Sequence, residues 1–204
     1  MENKRYYLEY ALQPQLSSRF PLAWPEIFSR EAPLAVEIGF GNGEFLVNWA
    51  RQVPEWDFIG FEISMASMER ALKRLHQQQI PNARPVHQDA RFGLREFFGD
   101  NTLSHVMMNF PDPWPKKRHH KRRLIQPPLV ATLAAKLKRG GYIHCATDWE
   151  EYAQQMLDVL SADPALENTA ADYAPRPEYR PLTKFEQRGI RLGHGVWDLV
   201  FRKK

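Results

Sequence analysis

The sequence predicts an α/β fold, a wound sheet with helices between its strands. Three observations carry that prediction. From Leu34 onward, short apolar runs rich in Val, Ile and Phe alternate with longer segments of helical period. The first run closes on three glycines, Gly39, Gly41 and Gly43. Acidic residues stand at or just beyond the ends of successive runs, at Glu62, Asp89, Asp112 and Asp148.

Residues 1–33 precede this pattern, and Pro14, Pro21, Pro25 and Pro33 mark them as an irregular lead-in to a single domain over 34–204. LAVEIGF, Leu34 to Phe40, is the first strand, and a helix over about Glu44 to Gln52 follows its glycine turn. Pro54 ends that helix, DFIGFEI forms a second strand ending on Glu62, and Ser64 caps the next helix. Met65, Met68, Leu72 and Leu75 give that helix one apolar face, and it stops before Pro81. RPVHQD is a short third strand ending at Asp89, with a helix near Arg91 to Phe98 behind it. LSHVMMNF, Leu103 to Phe110, is the fourth strand and delivers its end to PDPWP. LVATLAAKLKRGG reads as a helix closed by Gly140 and Gly141, YIHCAT as a fifth strand, and Trp149 to Leu160 as another helix. The Pro-, Gly- and charge-rich stretch from Tyr173 to Gly195 reads as a long loop, and VWDLVFRKK as a closing strand.

Composition narrows the function. The 204 residues are 43% hydrophobic and 25% charged, which suits one globular domain with a sizeable core and argues against disorder, collagen or coiled coil. Cys145 is the only cysteine, so an internal disulfide and a multi-cysteine zinc site are excluded. No run has the apolar length of a membrane span, and the start MENKRYYLEY lacks a signal-peptide core, so a soluble cytoplasmic protein is expected. Six of the 28 Lys and Arg residues lie in KKRHHKRR, Lys116 to Arg123, without which acidic residues would outnumber basic ones. The basic character is a local patch. No oligomer is indicated.

The glycine turn lets a ligand approach the backbone and points the next helix N-terminus at it. A dinucleotide turn needs G-x-G-x-x-G, yet counting from Gly39 puts Glu44 at the third glycine. Glu37 and Glu44 place negative charge where a diphosphate would sit and where a cationic ligand such as S-adenosylmethionine would be welcome. Glu62, 23 residues beyond Gly39, suits the two hydroxyls of a ribose, a need that NAD shares. Asp89 can accept from an adenine amino group.

In NFPDPWPKKRHHKRR, three prolines hold Asp112 and Trp114 on a stiff turn beside that pocket. Asp112 can accept from the N1–H and amino group of a guanine. The adjoining cations can neutralise phosphates of a folded nucleic acid. His119 and His120 are poor metal ligands in so cationic a run, and no metal site is expected. His76, His87, His105, His144, His194 and Cys145 receive no role. In the long loop, TKFE at Thr183 to Glu186 could fold over a splayed base. A nicotinamide enzyme lacks a hydride-site constellation here, and a non-catalytic RNA module would not explain four acids at strand ends.

VEIGFGNGEFL from Val36, FEI at Glu62, QDA at Asp89, NFPDPWPKKRHHKRR from Asn109, ATDW at Asp148 and TKFE at Thr183 together resemble the bacterial tRNA (guanine-N7)-methyltransferase family. The matching motifs span Val36 to Glu186, and the proline–basic motif is highly specific. The resemblance implies a Rossmann-like class I methyltransferase fold, a seven-stranded, mostly parallel sheet with helices on both faces. It implies methylation of the guanine at position 46 in the tRNA variable loop, with S-adenosylmethionine as cofactor. Cofactor contacts would be Glu37, Glu62, Asp89 and Asp112 beside the Gly39–Gly41 turn, with Asp112 also catalytic. Lys116, Asp148, Thr183, Lys184, Phe185 and Glu186 would contact the substrate, and Arg118, His119, His120, Lys121, Arg122 and Arg123 the RNA.

Overall fold

The computed structural model describes residues 2–17, 19–180, 182, 186–187 and 195–204, without the side chains of residues 2–5 and 16. Seven strands form one sheet: β1 (Leu34–Ile38), β2 (Asp57–Glu62), β3 (Ala83–His87), β4 (Leu103–Asn109), β5 (Leu137–Thr147), β6 (Leu166–Asn168) and β7 (Trp197–Lys203). Their order is β3-β2-β1-β4-β5-β7-β6. The first five run parallel and β7 inserts antiparallel between β5 and β6, as a seven-stranded, mostly parallel sheet requires.

Both faces of β1 are covered, which is why all five of its residues are buried and its sequence is almost wholly apolar. The alternation of side chains divides the core. Val36, Ile38, Ile59 and Phe61 pack with α5 (Ala90–Phe97), α6 (Pro127–Lys136) and α7 (Glu150–Ser161). Ala35, Phe58 and Met107 pack on the opposite face with α3 (Glu44–Gln52) and α4 (Met65–Gln78). Ser64 caps α4 by accepting from the Ser67 N–H, and Asp89 caps α5 by accepting from the Arg91 N–H at 2.8 Å.

Three expectations change. The lead-in is not irregular throughout, because it holds α1 (Glu2–Tyr10), a 3₁₀ turn at Pro14–Leu16 and α2 (Trp24–Phe28). Its prolines follow α1 or open the later turns, so none interrupts a helix, and Tyr6 packs on His76 of α4 with ring centroids 4.2 Å apart. The glycine pair Gly140–Gly141 does not close a helix; α6 ends at Lys136, and β5 begins at Leu137 and shifts register before Tyr142. Gly140 has φ +76°, and a Cβ on Gly141 would stand 2.9 Å from the Lys138 carbonyl, so the pair serves this irregularity in the strand. The third difference is β6, three residues paired with β7. Among the described residues no helix is long and apolar enough to cross a membrane.

Candidate functional site

The strand order reverses between β1 and β4, and the crevice beyond their carboxyl ends is where an open α/β sheet receives ligands. A cavity of about 380 Å³ lies there, with Gly39, Glu62, Asp89 and Asp112 in its lining. Asn109, Trp114 and Arg122 complete the wall toward β4 and the basic run.

The glycine turn folds as a cradle. Gly39 and Gly41 have φ +74° and +54°, and a Cβ on either would meet no atom within 4 Å, so open space adjoins the backbone. Glu62 locks the turn: one carboxylate oxygen accepts from the Gly41 N–H at 2.9 Å, the other from Ile63 and Ser64 at 2.8 and 2.9 Å. Glu37 lies behind this turn, buried, its Oε1 3.4 Å from the Asn109 side-chain nitrogen. Its Oε2 and the Asn109 Oδ1 are buried acceptors without a hydrogen-bond partner. Burial raises the Glu37 carboxyl to about 8, and the charge on Glu62 adds to the shift. An amide oxygen without a partner next to a buried carboxyl that resists ionising leaves hydrogen bonds for a cationic or N–H-bearing group to make. Asp89 is already engaged: Arg91 reaches both its oxygens at 3.1 and 2.7 Å, which holds its carboxyl below the usual range.

Beyond β4 the proline turn is tensioned at both ends. Phe110 and Trp114, each preceding a proline, have φ of +50° and +45°, a left-handed conformation that costs a non-glycine residue about 1 kcal/mol or more. Asp112 stands exposed between them. The basic run continues as a 3₁₀ turn over Lys117–Arg122, entered from Lys116, and folds back on this segment. The Arg122 guanidinium lies 5.0 Å from the Trp114 ring centre, and His119 meets the ring edge-on. Lys116, Arg118, Lys121 and Arg122 are exposed, and His119 and His120 half-buried.

A family profile described as "Putative methyltransferase" matches residues 31–199. The tRNA (guanine-N(7)-)-methyltransferase of Burkholderia ambifaria is 57% identical over 181 residues, which is 89% of this chain and 71% of that protein. The protein of the same name from Burkholderia pseudomallei is 59% identical over 89% of this chain and 68% of its own length. The chain belongs to the tRNA (guanine-N(7)-)-methyltransferase family. Solved structures show the same fold at low identity. The 16S rRNA methyltransferase KamB superimposes with a TM-score of 0.67 at 14% identity, covering 96% of this chain and 99% of that one. A 16S rRNA (adenine(1408)-N(1))-methyltransferase from Catenulisporales acidiphilia, solved with cosubstrate SAM, gives 0.61 at 17% identity, covering 92% of each chain. The Rossmann-like class I methyltransferase fold stands on these together with the sheet order.

In this methyltransferase two residues of the sequence reading sit elsewhere than expected. Arg123 does not face RNA: it is buried, donating from Nε to the Pro113 carbonyl at 2.7 Å and from Nη1 to Gln155 at 2.6 Å, with its Cζ 4.8 Å from the Tyr152 ring centre. Charge alone could not reveal that one cation of the run ties the proline turn to α7. Glu186 is not presented to a base either; it is buried in a two-pronged ion pair with Arg180 at 2.7 and 2.8 Å. Asp148 lies outside the cavity at the β1–β4 switch and lines a separate hollow of about 390 Å³ with Trp149, Glu151, Gly195 and Trp197. Thr183, Lys184 and Phe185 fall outside the described residues. Sequence reasoning missed Asn109, Arg180, Asp198 and His144, the last two paired at 2.6 Å in the interior. Cys145 is fully buried and its thiol pushed up by burial, in keeping with an inert core residue.

Proposed function

We propose that this protein transfers a methyl group from S-adenosylmethionine to N7 of guanine in tRNA, at position 46 of the variable loop. The observation that carries this reading is the convergence of Glu62, Asp89 and Asp112 on one cavity that the cationic turn enters through Arg122. The buried Glu37 and Asn109 acceptors and the open cradle at Gly39 and Gly41 fit the cationic amino-acid end of such a cosubstrate. Glu62, already oriented by three backbone N–H groups, receives the ribose hydroxyls. Asp89 receives the adenine amino group through the lone pairs that Arg91 leaves.

When bound, the cosubstrate supplies an electrophilic methyl on a positively charged sulfur. Guanine N7 has an in-plane lone pair and no proton, so the protein needs no general base, only alignment and charge placement. Asp112 accepts from the guanine N1–H and amino group, and its charge offsets the positive charge that the purine acquires. Lys116, Arg118, Lys121 and Arg122 take phosphates. Asp148 and the segment Thr183 to Phe185 contact the RNA around the target base. A tRNA substrate places the protein in the cytoplasm.

The test is to incubate the protein with labelled S-adenosylmethionine and unmodified tRNA transcript, digest the RNA and identify the labelled nucleoside. Label in 7-methylguanosine, lost when the variable-loop guanine is replaced, is expected. Label in another nucleoside would overturn the role of Asp112.

A further inference from the structure

The segment leading to β7 sends one arginine into the interior. Arg180 has no exposed surface, and all of its guanidinium nitrogens donate to carboxylates. Nε and Nη2 take the two oxygens of Asp198 at 2.7 and 2.8 Å, while Nη1 and Nη2 take those of Glu186 at 2.7 and 2.8 Å. Behind Asp198, His144 Nε2 lies 2.6 Å from the carboxylate and the Tyr179 hydroxyl 3.0 Å from His144 Nδ1. Burial holds His144 below its ordinary value, so the neutral ring donates from Nε2 to Asp198 and accepts from Tyr179 at Nδ1.

Desolvating such a cluster costs several kcal/mol, and apolar residues of similar volume would anchor a loop as well. What an apolar residue lacks is direction: the planar fork fixes the orientation of both carboxylates at once. The third neighbour shows what is being oriented. The Arg180 Cζ lies 5.7 Å from the ring centre of Phe110, the left-handed residue that opens the proline turn. Phe110 is itself fixed by an N–H bond to the Ala146 carbonyl at 2.7 Å, and Ala146 is the register partner of Asp198 across β5 and β7. One guanidinium thus touches the start of the segment bearing Asp112 and, through Glu186, the end of the Thr183–Glu186 segment.

We propose that Arg180 is a positioning residue for methyl transfer, holding the Glu186 segment in register with the proline turn that carries Asp112. The proposal rests on the methyl-transfer reading above. Arg180→Lys keeps the charge and removes the fork. Its kcat for tRNA is expected to fall on the order of 10²-fold while the dissociation constant for S-adenosylmethionine stays within about twofold. The loss should be non-additive with Asp112→Asn, since Arg180 acts through the turn that holds Asp112. Independently of activity, hydrogen exchange at the Phe110 amide should accelerate at least about tenfold. Glu186→Gln, which removes one carboxylate and keeps its shape, should give the same pattern in weaker form.

Unchanged kcat in folded Arg180→Lys, full additivity with Asp112→Asn, or an unchanged Phe110 amide would overturn the positioning role. Loss of fold in both variants would overturn it too, by making the network a stability element alone. A wild-type protein that makes no 7-methylguanosine would instead sink the methyl-transfer reading, and the Phe110 amide would still decide whether Arg180 couples the two segments.

Discussion

The two walls of the cavity are built on opposite plans. On the side of β1 to β3 the acids are fixed by the fold: Glu62 accepts from three main-chain N–H groups, and Asp89 caps α5 and is bridged by Arg91. On the other side Arg122 lines the cavity from a 3₁₀ turn on which Arg118 and Lys121, with Lys116 just before it, also stand exposed. The first wall is preorganised by the fold, as a small rigid ligand demands. The second supplies electrostatic attraction that a polyanion can use in many geometries. Asp112 sits where the two meet, on a strained turn that Arg123 holds. Perturbations should therefore separate cleanly by wall.

Asp112 carries the largest expected effect. It is exposed, so Asp112→Ala should leave the melting temperature within about 2 °C, surface changes being worth under about 0.5 kcal/mol. Turnover should fall by about 10²–10³, the cost of deleting one well-placed electrostatic group. Steady-state kinetics on tRNA transcript checks this, and near-normal kcat in a folded variant would move the catalytic role elsewhere.

Arg123→Ala breaks the comparison from the other direction, because this cation belongs to the fold. It removes the donor to the Pro113 carbonyl and to Gln155 Oε1, both on half-buried residues, and empties the buried site beside Tyr152, which should cost about 2–3 kcal/mol in urea unfolding. The salt dependence of tRNA binding per folded molecule should not change. A stable variant with a flattened salt slope would return Arg123 to the RNA surface.

That correction shows where sequence was legible. Strands β1, β2 and β4 announced themselves by apolar runs because parallel strands are buried on both faces, and Gly39, Glu62 and Asp112 lay where those runs ended. Leu166–Asn168 did not, since an edge strand of three residues has no room for a period. In KKRHHKRR every cation looks alike until tertiary packing turns one inward. Arg180 was hidden differently: it and Glu186 lie in a stretch whose prolines and glycines read as loop, and its other partner, Asp198, is 18 residues away in the closing strand.

Glu37 sharpens the preorganised wall through pH. Its carboxyl, raised from an ordinary 4.5 to about 8 by burial, binds a proton in the folded protein that the unfolded chain has lost. Stability therefore falls as pH rises between about 4.5 and 8 and levels above that window. A cationic ligand favours the carboxylate, so binding expels the proton. Affinity for S-adenosylmethionine should accordingly rise with pH, by at most about tenfold per unit, and flatten above about 8. Calorimetric titration across pH 6–9 checks it. Glu37→Gln should abolish the dependence and stabilise the protein most at the alkaline end; a pH-dependent affinity that survives the substitution assigns the proton to another group.

The smallest effect discriminates most finely, because it contrasts adjacent residues. Arg122 and Arg123 carry the same side chain, yet one lies over Trp114 in solvent and the other is buried beside Tyr152. Arg122→Gln removes one exposed charge and an exposed cation–π contact worth about 0.5–1 kcal/mol, so stability should barely move. If Arg122 meets one phosphate, the slope of log affinity against log salt should shrink by about one unit, with S-adenosylmethionine binding unchanged. Binding titrations of tRNA at several salt concentrations, run beside Arg123→Ala, read both residues in one experiment. Equal slopes in Arg122→Gln and wild type would show that the 3₁₀ turn faces RNA through its other cations, and that the stacking on Trp114 serves to brace the proline turn.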